Sequence, residues 1–218
     1  MALPPLSMDQ LSQVLSSAPT YSALYDTLFE YESQACLLFT DNQLKGDPEL
    51  LSAFYSSFLI SHLLTDQINE ARMLTHRMPP SLVKDDPTLQ NCLTLLRAVW
   101  QNNHAQVYKI LRELPWPDVL KGVVQSYEAY FQDKTFKEVS RAYEAIRPAT
   151  AAAYLGLGPV SAEEPDPAVI NAFTARGWDW DEKTKLLRPK VVATPPEPAG
   201  PKSNGMSQIV GLIGNYGG

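Results

Sequence analysis

The sequence is poor in the side chains from which metal centres and nucleophilic sites are built. Its 218 residues include two cysteines, Cys36 and Cys92, and three histidines, His62, His76 and His104. No two histidines are four residues apart, and none stands near a cysteine at the spacing of zinc ligands. Both cysteines lie inside apolar helical patterns, which predicts reduced and buried thiols. The sequence therefore predicts no metal site.

Motifs for nucleotide binding and for hydrolysis are also missing. There is no GxxxxGKS or GxxxxGKT segment, no GxGxxG, no HExxH and no GxSxG. One acidic pair, Glu163-Glu164, precedes prolines in a predicted loop, where solvated carboxylates are a better interpretation than a general acid and base. We therefore predict that the chain is not an enzyme and has no cofactor and no small-molecule substrate.

Long apolar runs and an excess of positive charge are absent as well. No uninterrupted apolar stretch reaches about 20 residues, the length that spans a bilayer, and no basic segment precedes an apolar run at the N-terminus. The formal net charge is −6, from 18 basic and 24 acidic residues. This balance argues against a protein that holds nucleic-acid phosphates or an anionic membrane surface. We expect a soluble intracellular protein.

What the sequence does contain is a repeat. The stretches TDQINEARMLTHRMPP (Thr65 to Pro80) and QNNHAQVYKILRELPW (Gln101 to Trp116) share a polar turn, an amphipathic run and a closing proline. Thr65 or Asp66 can cap the first amphipathic helix. A fixed period of this size is typical of stacked helix pairs, in which one repeat cannot bury its apolar face alone. The matching positions are 36 residues apart: Asp66 and Asn102, Ala71 and Val107, Leu74 and Ile110, Met78 and Leu114.

Further helices precede the repeat. Apolar residues between positions 20 and 40 recur at helical spacing and predict one buried face, which includes Phe29 and Leu37. Asp47 and Pro48 form a cap followed by proline at the first helical position. The helix that follows is apolar nearly all round, which predicts a central position in the core.

The pattern changes after about Phe131. One helix is predicted from Asp118 to Gln132, and three shorter helices and a hairpin follow it. A winged helix has this order of elements. The shorter helices are predicted at 136–146, 149–158 and 166–177, and the hairpin at 178–189, where apolar residues flank a charged turn.

These elements predict a mainly α fold class in four parts. Residues 1–130 form a TPR-like helical-repeat array, and residues 131–190 form a winged helix with a small β-hairpin. Residues 191–205 form a proline-rich linker without core-forming side chains. Residues 206–218 form a tethered amphipathic segment, which is too short to be a stable helix alone.

A winged helix often reads DNA with its third helix, so a nucleic-acid-binding regulator is an alternative. From residue 136 to residue 190, eight basic residues face eight acidic ones, and the third helix carries one basic residue, Arg176. A DNA-binding surface needs a net positive face for phosphate contacts. The hairpin does hold a basic cluster, for which a solvated tip is the better interpretation: Lys183, Lys185, Arg188 and Lys190.

Four blocks of sequence resemble a known family. They are LLTDQINEARMLTHRMPP (Leu63 to Pro80), VSRAYEAI (Val139 to Ile146), AAYLGL (Ala152 to Leu157) and ARGWDWDEKTKLLRPK (Ala175 to Lys190). Their order and spacing resemble PCI-domain proteins, and among these the small signalosome members. The blocks extend from residue 63 to residue 190, which is most of the chain. Similar small PCI subunits occur in the proteasome lid and in the translation-initiation scaffold.

The resemblance implies a non-catalytic scaffold subunit of the signalosome, in the nucleus and cytoplasm. That complex removes a ubiquitin-like modifier from cullins and so regulates cullin-RING ubiquitin ligases, with catalysis in another subunit. The implied partners are other PCI subunits of the signalosome, with no membrane and no nucleic acid. The open alternatives are a small PCI subunit of the proteasome lid or the initiation scaffold, and a nucleic-acid-binding winged-helix regulator.

The resemblance also implies where partners bind. PCI subunits align their winged-helix sheets edge to edge and gather their C-terminal helices in a shared bundle. A small sheet leaves an open edge, and an amphipathic segment on a linker needs another surface to fold on. The implied partner-binding residues are Trp178, Trp180, Leu186 and Leu187 in the hairpin, and Met206, Ile209, Val210, Ile213 and Tyr216 in the tail.

Overall fold

The computed structural model describes residues 3–40, 43–44, 47–157 and 167–189. Within these ranges the chain is mainly helical and has two short antiparallel hairpins, which confirms the predicted fold class. The helices are α1 Met8–Ser17, α2 Tyr21–Leu37, α3 Pro48–Leu64, α4 Ile68–Arg77, α5 Pro80–Asp85, α6 Pro87–Trp100, α7 His104–Glu113, α8 Asp118–Ala142, α9 Pro148–Leu155 and α10 Pro167–Thr174. The strands are β1 Phe39–Thr40, β2 Gln43–Leu44, β3 Trp178–Asp181 and β4 Leu186–Pro189.

The predicted repeat forms two equivalent helix pairs, α3–α4 and α6–α7. The second helices, α4 and α7, have 10 residues each and begin 36 positions apart in the sequence. Leu74 and Ile110, which the offset predicts to be equivalent, are both buried, and so are Ala71 and Val107. The sequence offset therefore identifies positions that pack in the same way.

The turn inside each pair repeats as well. Asp66 and Asn102 both have positive φ, 60° and 53°. The amide of Gln67 donates to the carbonyl of His62 at 2.8 Å, and the equivalent bond 36 residues later is 2.9 Å long. A left-handed residue with this bonding satisfies the last carbonyls of a helix. The predicted capping role of Thr65 or Asp66 is therefore wrong: both residues lie at the end of α3, and α4 begins without a side-chain cap.

Helix α3 is the centre of the array, as its sequence predicts. Every residue from Leu50 to Leu64 is buried, and α2, α6 and α8 pack around it. Two of its buried serines bond within the helix: Ser57 Oγ donates to the Ala53 carbonyl at 2.7 Å, and Ser61 Oγ donates to the Phe58 carbonyl at 2.8 Å. These bonds satisfy hydroxyl groups that would otherwise be costly to bury.

Helix α2 is more exposed than its sequence predicts. Thr20 caps it by accepting a hydrogen bond from the Ala23 amide at 3.1 Å. Phe29 is 55% exposed and Leu37 is 72% exposed, and Cys36 is exposed too. The predicted burial of these three side chains is wrong, because α3 covers one side of α2 while its apolar residues extend around the helix.

Helix α8 extends from the large core into a second, smaller one. Tyr127 in its first half belongs to the large core, and Val139 belongs to the small one. The sequence predicts two helices here, over 118–132 and 136–146. The structure contradicts this with one helix of 25 residues that ends at Ala142. The residues between the two predicted helices include no glycine or proline that could stop a helix. The domain boundary predicted near residue 131 falls inside this helix.

The array meets the small core at a close contact between α7 and α9. Gly156 ends α9 with a φ of 61°. A Cβ atom there would lie 2.4 Å from the ring of Tyr108, so glycine is needed for the turn and for the contact. Arg112 donates to the Gly156 carbonyl at 2.5 Å and to the Glu128 carboxylate at 2.7 Å. These bonds join α7, α8 and the end of α9.

Candidate partner-binding surfaces

Three aromatic rings hold the β3–β4 hairpin in place. Trp178 meets Phe173 of α10 edge to face, with ring centroids 5.1 Å apart. The ring centroid of Phe136 in α8 lies 5.8 Å from that of Phe173 and 5.9 Å from that of Trp178. The indole Nε1 of Trp178 donates to Ser140 Oγ at 3.0 Å. The hairpin is therefore fixed to α8 and α10 through one of its faces.

The hairpin is also joined to the segment between α8 and α9. Ile146 and Leu187 pair in an antiparallel bridge, in which each amide donates to the other carbonyl at 2.9 Å. The order α8, bridge, α9, α10, β3 and β4 is that of a winged helix. Strand β4 lies between Ile146 and β3, which makes β3 the outer strand among the described residues.

The outer side of β3 presents backbone groups in a defined register. Trp180 is opposite Leu187, whose own amide and carbonyl are bonded to Ile146. Peptide groups of successive strand residues point to opposite sides, so the amide and carbonyl of Trp180 point away from β4. No other strand within 3–40, 43–44, 47–157 and 167–189 pairs with this side. An edge of this kind can accept a strand from another chain.

The turn of the hairpin is ordered by its own residues. The carboxylate of Asp181 accepts hydrogen bonds from the amides of Lys183 and Thr184 at 3.0 Å and 3.3 Å. Hydrogen bonding from Thr184, through its side chain first and its backbone second, lowers the pKa of Asp181. Lys185 closes the turn with a φ of 52°. The position of the outer strand is thus set within the chain.

The structure separates the predicted hairpin residues into two groups. Trp178 and Leu187 are buried in the small core, whereas Trp180 and Leu186 are half-buried. The side chains of the first two face the chain's own interior, and the backbone amide and carbonyl of Leu187 are bonded to Ile146, so of these two positions only Trp178 can offer backbone groups to a partner. The predicted tail residues lie outside the described residues, and their role stays a prediction: Met206, Ile209, Val210, Ile213 and Tyr216.

The described part of the winged helix has no basic recognition helix. Helix α10, the third helix, has no lysine or arginine between Pro167 and Thr174. Arg176, just beyond it, donates to Gln132 Oε1 at 3.2 Å. Lys183 and Lys185 are exposed, but they lie beside the acidic residues of the hairpin turn. Phosphate contacts need a net positive face, and the described residues of α10 do not supply one.

The buried groups that could act in catalysis are held in neutral forms. Burial raises the pKa of Cys92 to about 12, so the thiolate is not populated near neutral pH. Burial also lowers the pKa of His62. In the part of the chain that the structure describes, no cluster of three or more His, Cys, Asp or Glu side chains could hold a metal ion. No helix among the described residues has both the length and the apolar character of a membrane span.

One open cleft, of about 320 Å³, lies between α7 and α9. Its wall includes Arg112, which is already bonded to Glu128 and to the Gly156 carbonyl. Burial raises the pKa of Tyr108, also in the wall, to about 12. Arg112 is therefore already used to hold the joint between α7 and α9.

The region that contains the repeat and the hairpin matches a known protein family. Residues 49–197, more than half of the chain, match the model of the CSN8/PSMD8/EIF3K family. The chain belongs to the CSN8/PSMD8/EIF3K family. The family match extends from α3 beyond β4, so it includes both the helix pairs and the outer strand.

Individual relatives agree with membership of the CSN8/PSMD8/EIF3K family. The chain is 51% identical over 217 residues to COP9 signalosome complex subunit 8 of Emericella nidulans, with all of both chains covered. It is 22% identical over 185 residues to the Danio rerio protein of that name, covering 84% of this chain and 93% of the relative. For the Drosophila melanogaster protein of that name, the identity is 27% over 158 residues, 72% and 82% of the two chains.

Sequence reasoning missed a set of exposed apolar side chains on the array. Two signals could have found them. The apolar residues of α2 extend around more of the helix than one buried stripe needs. Met73 lies outside the spacing that Ala71, Leu74 and Met78 share. The exposed set is Tyr21, Phe29, Leu37, Met73 and Trp100.

Proposed function

We propose that the chain is a non-catalytic scaffold subunit of the signalosome, the complex that removes a ubiquitin-like modifier from cullins and regulates cullin-RING ubiquitin ligases. The observation that carries the proposal is the 51% identity, over all of both chains, to a protein named COP9 signalosome complex subunit 8. The burial of Cys92 and His62 is in keeping with a non-catalytic role. The proposed location is the nucleus and cytoplasm.

The proposed partners are other PCI subunits, and the first proposed contact is the outer side of β3. Trp180 offers an amide donor and a carbonyl acceptor there, in a register set by the Ile146–Leu187 bridge. Backbone hydrogen bonds supply affinity in strand addition, and neighbouring side chains supply specificity. In the hairpin, the half-buried side chains of Trp180 and Leu186 can supply this specificity.

The second proposed contact is the amphipathic tail, residues 206–218. Its apolar residues at helical spacing can join a bundle with C-terminal helices of other subunits. The linker over 191–205 keeps the tail at a high effective concentration once the strand edge is engaged. The two contacts are therefore expected to reinforce each other.

Purification of the tagged full-length chain with its partners, followed by mass spectrometry, tests the proposed function. We expect the other signalosome subunits in stoichiometric amounts. Recovery of proteasome-lid or initiation-scaffold subunits in their place assigns the chain to another branch of the family, and recovery of no PCI subunit overturns the scaffold role. The same tag carrying a fluorescent protein tests the nuclear and cytoplasmic location.

A pair of variants at one position tests the strand edge. Trp180→Pro removes the outward amide donor and leaves the bonds between β3 and β4 in place. Trp180→Ala keeps that donor and removes the indole. We expect Trp180→Pro to reduce co-purification of partners much more than Trp180→Ala does. Equal loss in both variants assigns the contact to the indole and contradicts backbone pairing.

The tail is tested separately. Deletion of residues 191–218, or the double substitution Ile209→Asp and Ile213→Asp, should leave the melting temperature unchanged and weaken incorporation. Incorporation that withstands stringent washing in both variants contradicts a binding role for the tail.

A further inference from the structure

Helices α2 and α4 both pack on α3, and one ion pair joins them. Glu32 of α2 forms an ion pair with Arg77 of α4, with 2.7 Å between Oε1 and Nε. Nearer the other end, burial raises the pKa of Tyr25 of α2, and the carboxylate of Glu70 of α4 raises it further. In both helices the member of the Tyr25–Glu70 pair comes before the member of the Glu32–Arg77 pair. Helices α2 and α4 are therefore roughly parallel and border a shallow groove.

Each helix exposes a large apolar side chain between these two links. Phe29 of α2 is 55% exposed, and Met73 of α4 is 49% exposed. Tyr25 lies beside Phe29, with its ring centroid 6.1 Å from that of Phe29 and 5.0 Å from that of His62 in α3. Apolar side chains gathered on a surface in this way are typical of a protein-binding site.

The rim of the groove is acidic. Residues 1–44 contain five acidic residues and no lysine or arginine, a formal charge of −5 against −6 for the whole chain. Two of these acids, Asp26 and Glu30, are exposed on α2, and Glu70 is exposed on α4. Negative charge is thus concentrated on the part of the molecule that carries the exposed aromatic side chain of α2.

The two arginines of α4 are directed at other groups. Arg77 is paired with Glu32. The guanidinium of Arg72 lies 4.2 Å from the ring centre of Trp100, at the end of α6. The exposed carboxylates of the groove are therefore available to cations from another molecule.

We propose that the groove between α2 and α4 binds a positively charged amphipathic segment of a partner protein. Its apolar side chains pack between Phe29 and Met73, and its lysines or arginines lie beside Asp26, Glu30 and Glu70. An amphipathic helix is the element that fits a groove between two helices, and complementary charge selects its basic face. This contact is separate from the β3 edge and the tail, and it rests on the proposed function only for the source of the partner.

Photo-crosslinking in the full-length chain tests the proposal. The amino acid benzoylphenylalanine replaces Phe29 in one variant and Met73 in another, and a third variant carries it in place of Trp100 as an exposed control. Each variant is purified with its bound partners, irradiated and digested, and the crosslinked peptides are sequenced by mass spectrometry. We expect positions 29 and 73 to capture the same partner segment, which position 100 does not capture.

The captured sequence decides the outcome. A segment with apolar residues at helical spacing and a net positive charge supports the proposal. Capture of residues 206–218 of the chain itself, of a second copy of the chain, or of a segment without net positive charge overturns it. Absence of any crosslink from positions 29 and 73 overturns it as well.

A charge reversal tests the acidic rim. Asp26→Lys with Glu30→Lys should lower the crosslinking yield from position 73 about tenfold, the factor that corresponds to 1.4 kcal/mol. The control is Asp85→Lys with Glu113→Lys, which changes the net charge equally at exposed positions elsewhere and should retain the yield. Both chains must keep the parent melting temperature. An equal loss in the two variants, or no loss in either, overturns charge recognition at the groove.

The experiments distinguish an error in the groove proposal from an error in the proposed function. If signalosome subunits co-purify and the groove captures nothing, only the groove is wrong. If the groove captures a basic segment from a protein outside the signalosome and no signalosome subunit co-purifies, the groove stands and the scaffold proposal is wrong.

Discussion

The helical array and the winged helix bury their apolar residues in different ways. The large core draws mostly aliphatic side chains from helices α1 to α8, and equivalent positions recur in it. Among the described residues, the small core has nine buried members, and the rings of Phe136, Phe173 and Trp178 meet in it. Stability in the array is therefore shared among repeated positions, whereas the winged helix depends on a few large side chains.

The largest expected effect is in the small core. Trp178→Ala should cost about 3–5 kcal/mol, the usual loss when a buried large aromatic side chain is truncated. Hydrogen exchange measured by mass spectrometry should show lost protection in α9, α10 and the hairpin, while α3 keeps its protection. Trp180→Ala, at a half-buried position, is the control and should have a smaller effect. Equal loss of protection in both cores would contradict the contrast between them.

Equivalent positions of the array should respond equally. Leu74→Ala and Ile110→Ala should each lower the free energy of unfolding by about 2–5 kcal/mol, because each leaves a cavity in the large core. Leu37→Ala, at a position that is 72% exposed, should stay within about 0.5 kcal/mol of the parent. Chemical denaturation of the three variants checks this, and melts that match the parent for either buried position contradict the assigned equivalence.

Two glycine substitutions should change the stability of the chain in opposite directions, which tests the close contact between α7 and α9. Gly156→Ala should destabilise the chain by about 1–3 kcal/mol, because its Cβ meets the Tyr108 ring and φ is positive. Gly122→Ala lies within α8, where nothing is within 4 Å of the added Cβ, and should stabilise the helix by about 0.5–1 kcal/mol. Thermal melts of the two variants that shift in the same direction would contradict the close contact at the joint.

The smallest expected effect is a dependence of the array's stability on pH. Burial lowers the pKa of His62 below its usual value of 6.5, so the unfolded chain binds this proton more readily. The contribution of neutral His62 is complete above about pH 6.5 and is lost as the pH falls toward the lowered pKa. His62→Phe should flatten the fall in unfolding free energy between about pH 7.5 and about pH 5.5. A His62→Phe profile with the same slope as the parent would contradict this assignment.

The repeat and the helix ends are the parts of the fold that the sequence predicts well. The offset between Leu74 and Ile110 marks two positions that both prove to be buried. Asp47 accepts a hydrogen bond from the Glu49 amide at 3.0 Å, as its place before Pro48 predicts. These features are local or repeated, so a few residues of sequence contain the physical cause.

Features that depend on a neighbouring element are the ones that the sequence does not reveal. The pattern of α2 shows that Phe29 and Leu37 are apolar, but it does not show that one side of the helix lacks a covering helix. The hairpin pattern predicts strands, but the register decides that Trp178 and Leu187 face the chain's own core. The tail residues lie outside the described part of the chain, so their binding role stays a prediction.

Helix α8 has 25 residues, which corresponds to a length of about 37 Å at the usual rise. Because its two halves enter different cores, the number of residues between them sets both a separation and an angle. One residue inserted near Thr135 would move the far end by about 1.5 Å and rotate it by about 100°. The β3 edge would then face another direction relative to the groove between α2 and α4. Substitutions on the exposed side of α8 leave this setting intact, whereas a single-residue insertion or deletion would misalign two surfaces that are each correctly folded.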